Sequence, residues 1–128
     1  METTRPHHVY IVDDSVPIRA RLVEMLGRLD HVKLVGEAGT ARDAIAGIRR
    51  TQPDSVLLDL NLMGPSGFEV LRTIHGESPA IAFVVLTNHA EPQYRRACRT
   101  AGAAYFLDKT TEFDKVPGVI AAIASRIQ

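Results

Sequence analysis

Five reactive polar side chains follow apolar runs in this sequence, at the points where the runs end. Asp13 and Asp14 follow the first run, Asp59 the third, Thr87 the fourth and Lys109 the fifth. Short, nearly continuous apolar runs are typical of parallel strands buried on both faces. Open α/β sheets bind ligands at the carboxyl ends of such strands. The spacing therefore predicts that these side chains meet at one edge of a sheet.

This set of residue types favours phosphoryl chemistry with a divalent cation. Three carboxylates in one place repel one another unless a cation joins them, and Mg²⁺ prefers carboxylate oxygens, water and phosphate. Lys109 would supply a point charge for a phosphoryl group, and the Thr87 hydroxyl would donate to one of its oxygens. No Ser/His/Asp or Cys/His arrangement is evident in the cluster. A carboxylate can itself be the nucleophile and form an aspartyl phosphate.

The segments that position these residues alternate between two spacings of their apolar residues, one typical of strands and one typical of helices. Strand-like runs alternate with five segments at helical spacing, which predicts right-handed crossovers and a doubly wound parallel α/β sheet covered on both faces. The predicted strands are Val9 to Val12, Val32 to Val35, the run from Ser55 that carries Asp59, Ile81 to Leu86, and Ala104 to Leu107.

Local signals predict how the helices begin. Thr40 suits the N-cap of the second helix, and Ser66 with Glu69 matches a capping box at the third. Pro92 opens the fourth helix, while Pro117 would break a helix interior, so the last helix should start late with Pro117 in its first turn. The inward face of the fourth helix is predicted to be Tyr94, Ala97, Cys98 and Ala101.

Length and charge indicate one domain, residues 1–128, without an overall basic field. The 128 residues suffice for one core. The 15 Lys and Arg balance the 15 Asp and Glu, which argues against direct binding to nucleic acid or anionic membranes. The run of Arg95, Arg96 and Arg99 is interpreted as a solvated helix face. The pair His7-His8 has no partners at ligand spacing and is interpreted as surface.

Cysteine usage and hydropathy favour a cytoplasmic protein. The single cysteine, Cys98, cannot form an internal disulfide, and a buried helical thiol fits a reducing compartment. The polar start of the chain and its short apolar runs do not match a signal peptide or a membrane span.

In combination the motifs resemble the receiver domains of bacterial two-component response regulators, including the single-domain chemotaxis type. The resemblance covers essentially the whole chain. It rests on Asp13-Asp14, Leu57-Leu58-Asp59, Gly67 eight residues after Asp59, Thr87 and Lys109. It implies a flavodoxin-like fold with strand order 2-1-3-4-5 and phosphorylation of Asp59 by a histidine kinase or a histidine phosphotransfer protein.

The resemblance also implies roles for residues around Asp59. Mg²⁺ would be held by Asp14, Asp59 and the backbone carbonyl of Asn61, with Asp13 assisting through water. Phe106 would be a switch aromatic that moves inward with Thr87. Such a domain catalyses its own phosphorylation and dephosphorylation without being a conventional enzyme. Because the sequence ends at residue 128, its output would be binding to a downstream protein or passing the phosphoryl group on.

Two departures from the family pattern affect the surroundings of the site. The proline usual four residues after the phosphorylated Asp is Met63 here, and Pro65 follows two positions later. The residue after the switch Thr is usually very small, yet here it is Asn88. We expect Asn88, with Asn61 and His89, to control access of the phosphodonor and of water.

A second class of protein also uses a nucleophilic Asp with magnesium. The alternative is a phosphohydrolase of the haloacid dehalogenase type. That chemistry normally needs a second Asp two residues after the nucleophile as general acid, and this position is Asn61. The sequence therefore favours the phosphorylation switch.

Overall fold

Five parallel strands form one sheet, as the sequence predicted, and their order β2-β1-β3-β4-β5 is the one that the resemblance implied. A computed structural model describes residues 5–62 and 66–126, so Met63 and Pro65 lie outside the described residues. The elements are β1 (His7–Val12), α1 (Val16–Gly27), β2 (Val32–Ala38), α2 (Ala41–Thr51), β3 (Ser55–Leu58), α3 (Gly67–Glu77), β4 (Ala82–Thr87), α4 (Pro92–Ala101), β5 (Tyr105–Asp108), a 3-10 turn (Phe113–Lys115) and α5 (Val116–Arg126). None of the described helices is long and apolar enough to span a membrane.

The sheet separates two hydrophobic cores, because successive side chains of a strand point to opposite faces. On β1, Tyr10 and Val12 pack with residues of α2, α3 and α4. Val9 and Ile11 pack on the other face with residues of α1 and α5. Helices therefore cover both faces of the sheet.

Three of the predicted helix starts agree with the structure. Thr40 Oγ1 accepts a hydrogen bond from the backbone N–H of Asp43 at 3.2 Å, which confirms the predicted cap of α2. α4 begins at Pro92, and α5 begins at Val116, so that Pro117 lies in the first turn as predicted. A missing N–H costs nothing there, because the first helical N–H groups have no intrahelical partner.

The predicted capping box at α3 is wrong in its chemistry. Ser66 occupies the N-cap position, but its side chain makes no capping hydrogen bond. The backbone carbonyl of Ser66 accepts from the N–H of Glu69 at 3.0 Å instead. The start of this helix was therefore predicted correctly, although the side-chain hydrogen bond on which the prediction rested is not formed.

The inward face of α4 is narrower than its sequence suggested. Cys98 is fully buried, but Tyr94 is 42% exposed and Ala97 also faces solvent, so the prediction was wrong for these two residues. α4 contacts the edge strand β5 and one neighbouring helix, α3, and one narrow stripe is enough for that contact. Burial raises the pKa of the Cys98 thiol to about 11, which makes it a poor nucleophile at neutral pH.

His7 is not the surface residue that the sequence indicated. Its side chain is buried, and its Nε2 lies 3.0 Å from Ser55 Oγ. Burial lowers the pKa of His7, although the nearby Asp54 carboxylate opposes that shift. His7 lies at the end of β1 opposite the predicted site, so it contributes to the sheet rather than to the chemistry.

Tyr10 packs against a gap that a glycine leaves in α2. Its ring is buried between the sheet and that helix. A Cβ atom at Gly47 would overlap the Tyr10 hydroxyl and lie 2.7 Å from the ring carbon Cζ. Real Cβ atoms do not approach so closely, so Gly47 fixes the distance between α2 and β1.

We expect Gly47→Ala to lower the free energy of unfolding by roughly 1 to 3 kcal/mol, because the added methyl group overpacks the contact with Tyr10. Urea denaturation measures this cost. The matched control is Gly76→Ala in α3, where a Cβ meets nothing within 4 Å. There the better helix propensity of alanine should add about 0.5 to 1 kcal/mol. Equal effects of the two substitutions would contradict the packing role of Gly47.

Candidate functional site

The predicted site residues meet at the carboxyl edge of the sheet. Asp13 follows β1, Asp59 follows β3, Thr87 ends β4 and Lys109 follows β5. Backbone hydrogen bonds extend the sheet into these positions: the N–H of Asp59 donates to Val12 at 2.9 Å, and the N–H of Lys109 donates to Thr87 at 2.9 Å. The strand pairing itself therefore fixes the distances between the reactive groups.

The ammonium of Lys109 joins two buried carboxylates. Its Nζ lies 2.7 Å from Asp13 Oδ2 and 3.0 Å from Asp59 Oδ2. All three side chains are at most 10% exposed. Two carboxylates this close would repel each other, so one shared cation stabilises both.

The same carboxylates can hold a divalent metal ion. Asp13, Asp14 and Asp59 each offer an oxygen, and these oxygens lie within 4.8 Å of one another. Asp13 and Asp59 are buried, whereas Asp14 is exposed. Hard oxygen donors with an open side match the preference of Mg²⁺, which keeps several waters when it binds to protein.

Neighbouring groups hold Asp13 in place. The backbone N–H of Ser15 donates to Asp13 Oδ1 at 2.8 Å, and the Arg19 guanidinium donates to the Asp13 carbonyl. Arg19 Nε also donates to Glu37 Oε1 at 2.9 Å, which ties α1 to the end of β2. Nothing in the sequence singled out Arg19, because a lone basic residue on a helix face resembles any solvated one.

Asp59 is held by the turn that follows it. Its Oδ1 accepts the backbone N–H of Asn61 at 3.1 Å, while Asn61 itself is exposed. α3 returns so close to this turn that a Cβ at Gly67 would overlap the Asp59 carbonyl and lie 2.8 Å from the Cα of Leu60. This approach gives the glycine eight residues after Asp59 a steric explanation.

Burial shifts the ionisation of the site. It raises the pKa of Asp59, and the hydrogen bonds from Asn61 and Lys109 only partly oppose this effect. For Lys109 the balance is different. Burial alone would lower its pKa, but hydrogen bonds to Asp13 and Asp59 outweigh burial and raise it. Lys109 therefore stays charged at neutral pH.

The end of β4 and the loop after it bring Thr87, Asn88 and His89 to the mouth of the site. Thr87 is fully buried, and its Oγ1 accepts the backbone N–H of His89 at 3.2 Å. Asn88 is exposed, and its Oδ1 accepts the Thr110 hydroxyl at 3.2 Å, which links this loop to the one after β5. The His89 ring lies beside that of Tyr94, with centroids 5.7 Å apart.

Phe106 lies on β5, half-buried and paired in register with Val85 of β4. Its ring packs against the core that α2, α3 and α4 cover. The Arg95 guanidinium lies over that ring, 4.6 Å from the centroid. The sequence indicated that Arg95, Arg96 and Arg99 form a solvated helix face. Arg96 and Arg99 are exposed, but Arg95 is half-buried, so the interpretation was wrong for Arg95.

Fold and site together define a class: an α/β domain with an acidic cluster and a lysine at the carboxyl edge of a parallel sheet. The family model described as the response regulator receiver domain matches residues 9–121. The chain belongs to this family of response-regulator receiver domains.

Relatives and solved structures agree with this assignment. Over 118 residues the chain is 31% identical to the response regulator UvrY of Escherichia coli (strain K12), covering 92% of this chain and 54% of that protein. It is 31% identical to the DNA-binding transcriptional activator DevR/DosR of Mycobacterium tuberculosis over 79% of this chain and 46% of that one. The signal receiver domain of a putative Luxo repressor protein from Vibrio parahaemolyticus superposes with a TM-score of 0.86 at 27% identity, covering 96% of this chain and 92% of that one.

The chain spans about half the length of the curated relatives that it matches. The similarity to them is therefore a similarity of the receiver region. DNA binding is part of the printed name of one relative and is a property of that whole protein.

We expect Lys109→Met to lower the free energy of unfolding by roughly 3 kcal/mol at neutral pH, because two buried carboxylates lose their shared cation. Denaturant unfolding without divalent metal measures the change. Adding Asp59→Asn to this variant should recover part of the loss, since one of the two charges is then absent.

The matched control is Lys115→Met, which removes an ammonium that is 61% exposed and paired with Glu112. An exposed pair of this kind contributes less than about 1 kcal/mol. A loss at Lys109 no larger than the loss at Lys115 would mean that the shared cation does not stabilise the site.

Proposed function

We propose that the chain is a phosphorylation-dependent signalling switch in which Asp59 accepts a phosphoryl group from a histidine kinase or a histidine phosphotransfer protein. The observation that carries the proposal is the contact of Lys109 with Asp59, beside Asp13 and Asp14. An Asp59 oxygen attacks phosphorus, and the bond from phosphorus to the donor nitrogen breaks, so that its electron pair leaves with the imidazole.

Positioning and charge neutralisation are what such a transfer requires of the protein. The backbone N–H of Asn61 holds one oxygen of Asp59 and leaves the carboxylate in a fixed orientation. The Lys109 ammonium would move from the Asp59 carboxylate to the phosphoryl oxygens, because the negative charge lies there after transfer. Thr87 would turn its hydroxyl from its present contact with the backbone of His89 towards one of those oxygens.

The residues present fit a magnesium ion, which would neutralise phosphoryl charge at this edge of the sheet. Asp14, Asp59 and the backbone carbonyl of Asn61 would bind it directly, and Asp13 would act through water. The roles of Asp13 and Asp59 follow the family resemblance, because in both carboxylates the two oxygens already accept hydrogen bonds. Asp14 is exposed and available.

The response would be a changed protein-binding surface on α4, β5 and α5. Thr87 ends β4 directly before the loop to α4, and Phe106 lies on β5, so movement of the two would alter those elements. Phosphorylation would bias an equilibrium between two arrangements. Asn88, His89 and the side chain of Asn61 would control how fast phosphodonor and water reach Asp59.

The partners follow from this chemistry. The phosphodonor would be a phosphohistidine protein, and the target would be a protein that recognises the altered surface. The domain itself would contact neither nucleic acid nor membrane, and it would act in the cytoplasm. Its reaction would be its own phosphorylation and dephosphorylation, without turnover of a separate substrate.

The phosphohydrolase alternative is less well supported. A general acid would be required two residues after Asp59, and the side chain there is the amide of Asn61. The aspartates after β1, Asp13 and Asp14, are adjacent rather than spaced. Catalytic hydrolysis of a generic aryl phosphate would favour the alternative over the switch.

We expect acetyl phosphate with Mg²⁺ to add one phosphoryl group to the chain, at Asp59, as measured by intact-protein mass spectrometry and peptide mapping. Asp59→Asn should abolish the label. The control variant is Asp114→Asn. It removes an exposed carboxylate that is not part of the acidic cluster, so labelling should be unchanged. A label that persists in Asp59→Asn, or maps elsewhere, would overturn the proposal.

We expect Asp14→Ala to weaken Mg²⁺ binding by about tenfold or more, and Asp13→Ala to weaken it less, because only the first removes a direct ligand. The chain has no Trp, so the backbone amide signals of Asn61 and Lys109 are suitable NMR probes for the titration. Asp30→Ala, at an exposed turn, serves as control. Equal losses, or the reverse order, would show that the ligand roles are misassigned.

A further inference from the structure

Arg95 makes two contacts with Phe106. Its guanidinium carbon lies 4.6 Å from the ring centroid, and its Nη1 donates to the Phe106 carbonyl at 3.1 Å. Among the described residues of α4, Arg95 is the arginine that is half-buried. One side chain therefore contacts both the ring and the backbone of the same residue on β5.

Phe106 lines a cavity beside α4 and β5. A cavity of about 200 Å³ is lined by Arg95, Arg99, Ala103, Ala104, Tyr105 and Phe106. The Phe106 side chain is half-buried and packs against the core beside α4. Packing alone leaves room for movement here, so a polar contact can decide where the ring rests.

We propose that Arg95 is a positioning residue that holds Phe106 in its resting place and so sets how readily the switch turns. A cation over the face of an aromatic ring attracts it, and that attraction is lost when the ring turns inward. The hydrogen bond anchors the backbone of β5 to α4 at the same point. The inference rests on the proposed function in one respect, the inward movement of Phe106 on phosphorylation.

An arginine suits this task better than a lysine. A planar guanidinium can lie on a ring with its face and donate from its edge, whereas an ammonium is a compact point charge. Arg95→Lys should therefore lose most of the effect while keeping the charge. If only the positive charge at position 95 held Phe106 in place, Arg95→Lys would behave like the wild type.

The test uses the full chain with 4-fluorophenylalanine in place of its four phenylalanines, and Phe106→Leu identifies the resonance of residue 106. Fluorine NMR spectra are recorded without a phosphodonor and again with beryllofluoride and Mg²⁺. In Arg95→Ala and Arg95→Lys the resting resonance should move towards the position that beryllofluoride produces. The expected change in the switch equilibrium is about twofold to fivefold.

The control is Arg99→Ala, one helical turn further along α4, which lines the same cavity and should leave the resonance in place. Unfolding midpoints verify that all variants fold. The inference is overturned if Arg95→Ala moves the resting resonance no more than Arg99→Ala does, or if Arg95→Lys behaves like the wild type. If beryllofluoride leaves the wild-type resonance unmoved, the switch role of Phe106 fails and this inference with it, while acetyl phosphate labelling tests Asp59 separately.

Discussion

The attraction between one ammonium and two buried carboxylates is the interaction on which the site depends. Lys109 comes from the strand at one edge of the sheet, and Asp13 and Asp59 follow β1 and β3. The ion pairs can form only when every intervening strand is in register. The free energy of the site and the pairing of the sheet are therefore coupled, and a group that draws Lys109 away from the carboxylates acts on both.

The positions of the reactive groups could be predicted because they depend on strand order and on little else. Buried parallel strands give continuous apolar runs, and their carboxyl ends share one edge. Asp13, Asp59, Thr87 and Lys109 could be placed without any knowledge of side-chain conformation. The ligand roles of Asp14 and Asn61, and the movement of Phe106, stay predictions because they concern a bound or altered state.

The errors arose where the outcome depends on which neighbours a side chain meets. Tyr94 and Ala97 follow the helical period of Cys98, but α4 packs mainly against β5 and α3 through one narrow stripe, so two of the predicted core residues face solvent. Arg95 and His7 have polar side chains. Nothing in the sequence indicated that Arg95 contacts an aromatic ring or that His7 contacts a serine. Ser66 had a suitable type and position, but the backbone closes the first turn without its hydroxyl.

The burial of Cys98 has a consequence for watching this domain at work. It is the single cysteine of the chain, it lies on the inward stripe of α4, and its thiol is almost fully protonated at neutral pH. A thiol reagent can modify it only when the residues packed around it open. The chain thus carries its own reporter residue, and the rate of modification measures how often the surroundings of Cys98 open, without an engineered cysteine.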